Sequence, residues 1–221
     1  MSSLLLAGCA NQTPTTTAGL GNQIPLGPGK YPGTLVYKAP DLDIALYHGI
    51  LIDQATIYTG PDADYGNVSW ADKQQLAANL TSEYTRVLSE KFNVVSQPGP
   101  GIARLHLALA GVTESQSGLS TLLRLTPVGL GITGIKSVAN EPAAFTGTVT
   151  IAGQVTDTQT GAVLAGFVSR ESPQAYDLTS GLGSLRAAQL GITRGAEEFS
   201  QAVEAMKKQQ AAAAATSAPA N

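Results

Sequence analysis

The sequence contains little of what most enzymes and metalloproteins use for chemistry. Among 221 residues it has one cysteine and two histidines. A single cysteine excludes an intramolecular disulfide framework. The two histidines have no cysteine or carboxylate partner at a spacing typical of metal ligands. We therefore expect His48 and His106 to be structural or solvated side chains, and we predict neither a metal site nor a bound cofactor.

Charged residues are also scarce, at 13% of the chain, with a formal net charge of −3. The lysines and arginines are scattered along the sequence, so the basic cluster that contacts nucleic-acid phosphates is missing and we expect no nucleic-acid partner. Hydrophobic residues make up 43% of the chain, which places it among folded proteins and outside the disordered class. A length of 221 residues favours one domain with tails.

The common signatures of nucleophilic and metal-dependent catalysis are absent from the sequence. It has no G-x-S-x-G, S-x-x-K, C-x-x-C or H-E-x-x-H pattern and no Walker loop. Glu197 and Glu198 are carboxylates of the type that a glycosidase uses, but they lie beside the apolar stripe of a predicted helix. We interpret them as the solvated face of that helix and predict that the protein is not an enzyme.

The only cysteine lies in a pattern that bacterial lipoprotein processing accepts. Leu6, Ala7 and Gly8 supply the aliphatic, small and glycine positions before Cys9. On this interpretation residues 1–9 are a truncated lipoprotein signal segment that ends in the lipidated Cys9. Each buried methylene of the acyl chains contributes about 0.8 kcal/mol, so several chains anchor a protein stably to the bilayer. Ala10 is not the aspartate that favours inner-membrane retention, so we expect an outer-membrane anchor facing the periplasm.

Composition divides the rest of the chain into three parts. Residues 10–33 are rich in Thr, Gly, Asn, Gln and Pro and are predicted to be a flexible linker. Residues 34–208 are predicted to be a single α/β periplasmic domain. Residues 209–221 are Ala-rich and are predicted to be a disordered tail.

Hydrophobic periodicity predicts an α/β (α+β) fold in which a mixed, mostly antiparallel sheet packs against two long helices. Ser69 and Asp72 form a capping box that begins the first helix. In the strand 102–112, Leu105 and alternate residues face the core while His106 lies on the other face. The predicted strands cover 34–38, 46–59, 92–96, 102–112, 146–157 and 162–170, the last two as a hairpin, and the helices cover 69–92 and 184–208.

Two ligand-binding patterns occur in the sequence without their required context. The turn-rich segment 60–67 contains paired aspartates, but Gly66 and Lys73 occupy the fifth and twelfth positions of a calcium loop, where oxygen ligands are needed. A literal G-x-G-x-x-G spans Gly129–Gly134 and follows Pro127. This pattern binds pyrophosphate only between a strand and a helix, so we predict neither calcium nor a dinucleotide.

The apolar, glycine-rich segment 115–140 allows more than one interpretation. Arg124, Pro127 and Lys136 interrupt it too often for a membrane span of about 20 apolar residues. We expect it to form a loop that covers the core. A surface that contacts a membrane or a partner is the alternative.

Four motifs follow one another along residues 9–205: the pattern ending at Cys9, the strand 47–53, the segment 97–105 (QPGPGIARL) and the segment 157–165 (DTQTGAVLA). In this order they resemble a family of bacterial lipoproteins known only as a domain of unknown function, the DUF3313 type. The resemblance implies an envelope location and no known activity, so no catalytic residues carry over. The last helix departs from the family, with Phe199 where a Trp-Ala pair is expected.

These observations predict a non-enzymatic, outer-membrane-anchored periplasmic lipoprotein. Its predicted contacts are the lipid bilayer, through acylated Cys9, and an unidentified envelope protein or peptidoglycan that it binds or assists. The alternative is an oligomeric pore or membrane-remodelling subunit that uses the apolar segment 115–140. The order of elements is also similar to that of periplasmic lipoprotein domains that assist secretion or activate cell-wall synthases, an analogy of fold alone.

Overall fold

The structure is a computed structural model that describes residues 14, 16–113, 148–171 and 184–217. In this part of the chain two long helices pack on one mixed, mostly antiparallel sheet, which confirms the predicted fold class. The elements are β1 (Gly27–Pro28), β2 (Thr34–Lys38), β3 (Gly49–Ile52), β4 (Thr56–Ile57), α1 (Trp70–Ser89), β5 (Val94–Val95), β6 (Ile102–Thr113), β7 (Thr148–Asp157), β8 (Val163–Glu171) and α2 (Ser184–Ser217).

The sheet has the strand order β1-β2-β8-β7-β6-β3-β5, and β4 pairs with β6 beyond the end of β3. The pairs β1–β2, β2–β8, β8–β7 and β7–β6 are antiparallel. At the other edge of the sheet, β3 is parallel to both β5 and β6. The predicted hairpin is confirmed as β7 and β8. Gly161 closes its turn with a φ of 71°, a conformation that glycine adopts without strain.

The single strand predicted over residues 46–59 is wrong, because the structure has two short strands, β3 and β4, in its place. Ile52 lies opposite Leu105, whereas Thr56 lies opposite Ala108. The β3–β4 side therefore uses one more residue than β6 over this interval, which is the geometry of a bulge. The backbone N–H of Ala55 leaves the ladder and donates to the Thr81 hydroxyl at 2.8 Å.

The first helix begins as predicted. The Ser69 side chain accepts a hydrogen bond from the backbone N–H of Asp72, and its hydroxyl donates to the Asp72 carboxylate at 2.7 Å. This cap satisfies one of the free N–H groups of the first turn. The buried stripe of α1 faces the leucines of β6 and forms the main core with them.

The second helix is longer than predicted, and the prediction of a disordered tail is wrong for residues 209–217, which continue α2 to Ser217. Alanine has the highest helix propensity of all residues. Gln210 also ties this part of α2 to the segment before β3: its side chain accepts from the Ile44 N–H at 2.9 Å and donates to the Leu42 carbonyl at 2.6 Å. Neither described helix has a stretch long and apolar enough to cross a membrane.

The prediction of a flexible linker is wrong for residues 16–33. Leu20 and Leu26 pack against a second cluster of buried residues, on the sheet face opposite the helices. Residues 27–28 form β1 and extend the sheet beside β2. The Thr16 hydroxyl donates to the Asp62 carboxylate at 2.8 Å. Residues 16–33 thus cover sheet surface that would otherwise be exposed. The folded domain therefore begins before residue 34.

Candidate functional site

A cavity of about 460 Å³ lies between the sheet and the middle of α2, residues 195–209. Its floor is formed by β2, β8, β7 and the neighbouring parts of β6 and β3, and α2 forms its roof. Residues 42–50 and the end of α1 complete its walls. Ligand cavities in proteins commonly measure about 300–1,000 Å³, so this cavity has the size of a binding site for a small molecule or a single chain.

The middle of the cavity is apolar because of strand alternation and helical spacing. Val36 on β2 pairs with Phe167 on β8, so both side chains lie on the helix-facing side of the sheet. Phe199 on α2 lies opposite, with its ring centroid 5.3 Å from that of Phe167. Val36 is 38% exposed, which shows that solvent reaches this surface. The remaining apolar lining includes Ala165, Val203 and Met206.

One end of the cavity carries a buried acid. Glu171, the last residue of β8, is only 4% exposed. Burial raises the pKa of its carboxyl group to about 7, and the nearby Glu198 carboxylate acts in the same direction. The positive charge of Arg194 lowers the pKa of this carboxyl group and partly offsets the rise. The Ser169 hydroxyl is buried and has no hydrogen-bond partner in the described part of the chain. The Thr34 hydroxyl is buried and has no hydrogen-bond partner within the described ranges.

Glu198 belongs to the same end, and its assignment to the solvated helix face is wrong. Its side chain is 15% exposed and accepts from the Arg194 guanidinium at 3.0 Å. Arg194 Nε also lies 3.7 Å from the Glu171 carboxylate. α2 lies close to the sheet here, because Gly195 faces Ile151 without a side chain between them. Glu198, three residues further along the helix, is therefore largely shielded from solvent. Glu197 is exposed, as predicted.

The Tyr84 side chain lies close to this acidic end, inside the core. It is fully buried, and among the described residues its hydroxyl has no hydrogen-bond partner. Burial raises its pKa well above the usual value, and Glu171 and Glu198 add to the effect. Tyr84 is therefore a neutral phenol that packs against Phe167 and Phe199.

Exposed lysines line the other parts of the cavity. Lys38 ends β2 opposite Ala165, and Lys207 lies on α2 with its Nζ 5.2 Å from the centre of the Phe92 ring. Lys30 lies at the Thr34 end, with its Nζ over the Tyr31 ring at 5.6 Å. None of these three lysines forms an ion pair with any residue that the structure describes.

The predicted site residues are not brought together. Cys9 and the segment 115–140 lie outside the described residues. His48 is exposed and lines the cavity. His106 lies on the opposite sheet face, with its Nδ1 3.7 Å from the Asp53 carboxylate. In the described ranges no group of three or more His, Cys, Asp or Glu side chains has a geometry that could hold a metal ion.

The cavity residues were missed at the sequence level, since they come from β2, β8 and α2, which are far apart in the chain. Two weak signals existed. Lys38 and Glu171 are charged residues at the ends of apolar strands. β2 and β8 are paired antiparallel strands, so Lys38 at the end of β2 and Glu171 at the end of β8 lie at opposite ends of the pair.

Similar chains occur among the solved structures, including three from bacteria. The PelC dodecamer from Paraburkholderia phytofirmans is 14% identical, with 74% of this chain and 94% of that chain covered and a TM-score of 0.38. A candidate lipoprotein from Caulobacter crescentus CB15 is 18% identical, with 76% and 93% covered and a TM-score of 0.29. A Xanthomonas campestris protein of the DUF330 family is 10% identical, with 76% and 93% covered and a TM-score of 0.39. TM-scores below 0.5 support no statement about function.

No curated protein matches this chain. The model of the family described as "Protein of unknown function (DUF3313)" matches residues 26–199. The match begins just before β1, includes every strand, and extends into α2 as far as Phe199 in the cavity. It confirms the resemblance found in the sequence, and the chain therefore belongs to the DUF3313 family.

Proposed function

We propose that this protein is a non-enzymatic, outer-membrane-anchored periplasmic lipoprotein that binds an envelope component through an apolar part of that component. The cavity beneath α2 is the observation that carries this proposal. It is large enough for a ligand, it is open to solvent beside Val36, and its middle is apolar. Apolar surface in contact with water is unfavourable by about 25 cal/mol per Å², so an apolar occupant would stabilise the domain.

The lining chemistry also narrows the kind of component. A glycan such as peptidoglycan presents hydroxyl and amide groups, which need hydrogen-bond partners when they leave water. The aliphatic and aromatic side chains in the middle of this cavity offer none. The cavity therefore favours a component with a hydrocarbon part.

The anchor in this proposal is the predicted acylation of Cys9, which lies ahead of the described domain. Replacing Cys9 by Ser in a full-length precursor removes the acyl attachment point and changes no described residue. We expect the variant to leave the membrane fraction with its fold intact, measured by envelope fractionation and circular dichroism. A variant that stays with the membrane after a high-salt wash would contradict the lipid anchor.

The cavity is tested by filling it. In the full chain carrying Cys9→Ser, Ala165→Phe would place a ring on the cavity floor between Lys38 and Val155, its neighbours in the sheet. We expect this variant to lose the fluorescence gain of a neutral apolar dye, phenylnaphthylamine. Ala162→Phe is the matched control, since Ala162 is exposed in the hairpin turn and does not line the cavity.

Thermal melts of both variants confirm that they fold. Dye binding in Ala165→Phe equal to that of Ala162→Phe would refute the cavity as the binding site. The absence of dye binding to the parent chain would refute it as well.

A further inference from the structure

The two ends of the cavity differ in charge, and the β2–β8 register fixes which groups lie at each end. Lys38 lies opposite Ala165 at one end, while Thr34 lies opposite Ser169 at the other, next to Glu171. Lys207 lies at the Lys38 end, further along α2 than Glu198. The cavity thus runs from an end with two exposed lysines, across an apolar middle, to an end that holds both lining carboxyl groups and the buried hydroxyl groups, where Lys30 is the one lining lysine.

The lysines at the cationic end are available to a ligand. Lys38 and Lys207 are exposed, and neither pairs with a carboxylate in the described part of the chain. The carboxyl groups that line the cavity are Glu171 and Glu198, and both belong to the other end. The Lys207 ammonium is held over the Phe92 ring, which also lines the cavity. In a chain of net charge −3, this end is complementary to an anion.

The length of the apolar middle follows from strand geometry. Lys38 and Thr34 are four residues apart on β2, a span of roughly 13 Å at about 3.3 Å per residue. An extended chain advances about 1.2 Å per bond, since three backbone bonds span about 3.3–3.6 Å. The apolar middle therefore accommodates a hydrocarbon chain of about ten bonds before it meets the buried polar end.

We infer that the ligand is a single-chain anionic amphiphile, with its hydrocarbon chain in the apolar middle and its head group between Lys38 and Lys207. This inference rests on the proposed function and adds the class of ligand to it. The buried end limits the length of the hydrocarbon chain. A methylene group in contact with Glu171 and the Thr34 hydroxyl would prevent these polar groups from forming hydrogen bonds. A medium-chain carboxylate such as dodecanoate is the simplest molecule of this class.

The test compares ligands that differ only in the head group. Dodecanoate, dodecanol and dodecylamine, each below its micelle concentration, displace the neutral dye from the full chain carrying Cys9→Ser. We expect dodecanoate to have a Kd lower than that of dodecanol by about three- to tenfold, the effect of two exposed ion pairs, and dodecylamine to bind most weakly. The preference should decrease at high salt.

Two variants assign this preference to the lysines. Lys38→Gln combined with Lys207→Gln should give dodecanoate and dodecanol the same Kd. Lys208→Gln is the control for Lys207→Gln: it removes one positive charge from an exposed neighbouring position that does not line the cavity, and it should keep the preference.

A series from octanoate to hexadecanoate tests the length. We expect the Kd to fall with each added methylene and to stop falling near dodecanoate. Equal binding of the three head groups, or an unchanged preference in the double variant, would overturn the inference and leave the proposed function in place. If the parent chain does not bind the dye, both the inference and the proposed function are refuted.

Discussion

Glu171 provides the sharpest test of the buried end of the cavity. Its carboxyl group is 4% exposed, and burial raises its pKa from 4.5 to about 7. In the unfolded chain the group loses its proton near its ordinary pKa, whereas the folded protein keeps the proton until about pH 7. The folded state therefore binds more protons over this interval, and stability falls as pH rises through it. The loss is complete once the pH exceeds the folded-state pKa.

The size of the effect follows from the pKa shift. One pKa unit corresponds to about 1.36 kcal/mol, so a shift from 4.5 to about 7 corresponds to roughly 3 kcal/mol of stability. Glutamine keeps the shape of the side chain and cannot ionise. Glu171→Gln should therefore be close to the parent in stability near pH 5 and more stable than the parent near pH 8, by an amount approaching roughly 3 kcal/mol.

Urea unfolding of the full chain carrying Cys9→Ser, repeated across this pH range, measures the difference. Glu197→Gln is the matched control, because Glu197 is an exposed neighbour on α2. A Glu171→Gln difference that stays constant with pH would contradict the raised pKa of the buried Glu171 carboxyl group. A variant less stable than the parent near pH 8 would show that Arg194, at 3.7 Å, stabilises the carboxylate more than burial destabilises it.

Two further predictions concern the elements that frame the cavity. Ser69→Ala removes the side chain that accepts from the Asp72 N–H and should lower the free energy of unfolding by about 1 kcal/mol; unchanged urea unfolding would contradict the capping role. Gly191→Val would place its Cβ about 2.7 Å from Val149 Cγ1 and should destabilise the protein by about 1–3 kcal/mol, whereas Gly27→Ala, with nothing within 4 Å, should stay within about 0.5 kcal/mol. Equal effects of the two glycine substitutions would show that α2 does not need close approach at Gly191.

The features predicted correctly from the sequence depend on neighbours in the chain. The cap of α1 needs only Ser69 and Asp72, three residues apart, and the turn between β7 and β8 needs only the five residues that close it. The alternation along β6 is also local, and Leu105, Leu107 and Leu109 are all fully buried. Patterns of this kind predict local structure without information about the rest of the fold.

The features missed depend on contacts between distant parts of the chain. The Ala-rich end of α2 is joined to residues 42–44 through Gln210, across more than 160 positions. Residues 16–33 have few large apolar side chains, yet Leu20 and Leu26 pack against the sheet face opposite the helices. A helical wheel predicts that Glu198 is solvated, but its side chain is only 15% exposed, because α2 comes close to the sheet at Gly191 and Gly195. The cavity itself exists only after these elements are in place.

The proposed occupant of the cavity beneath α2 is an amphiphile from the cell envelope. Native mass spectrometry tests it on protein exported from a full-length Cys9→Ser precursor and purified from the periplasm without detergent. We expect a bound single-chain amphiphile on the parent and on Ala162→Phe, and none on Ala165→Phe. A parent protein without a ligand, or an Ala165→Phe protein that carries the same ligand, would contradict it.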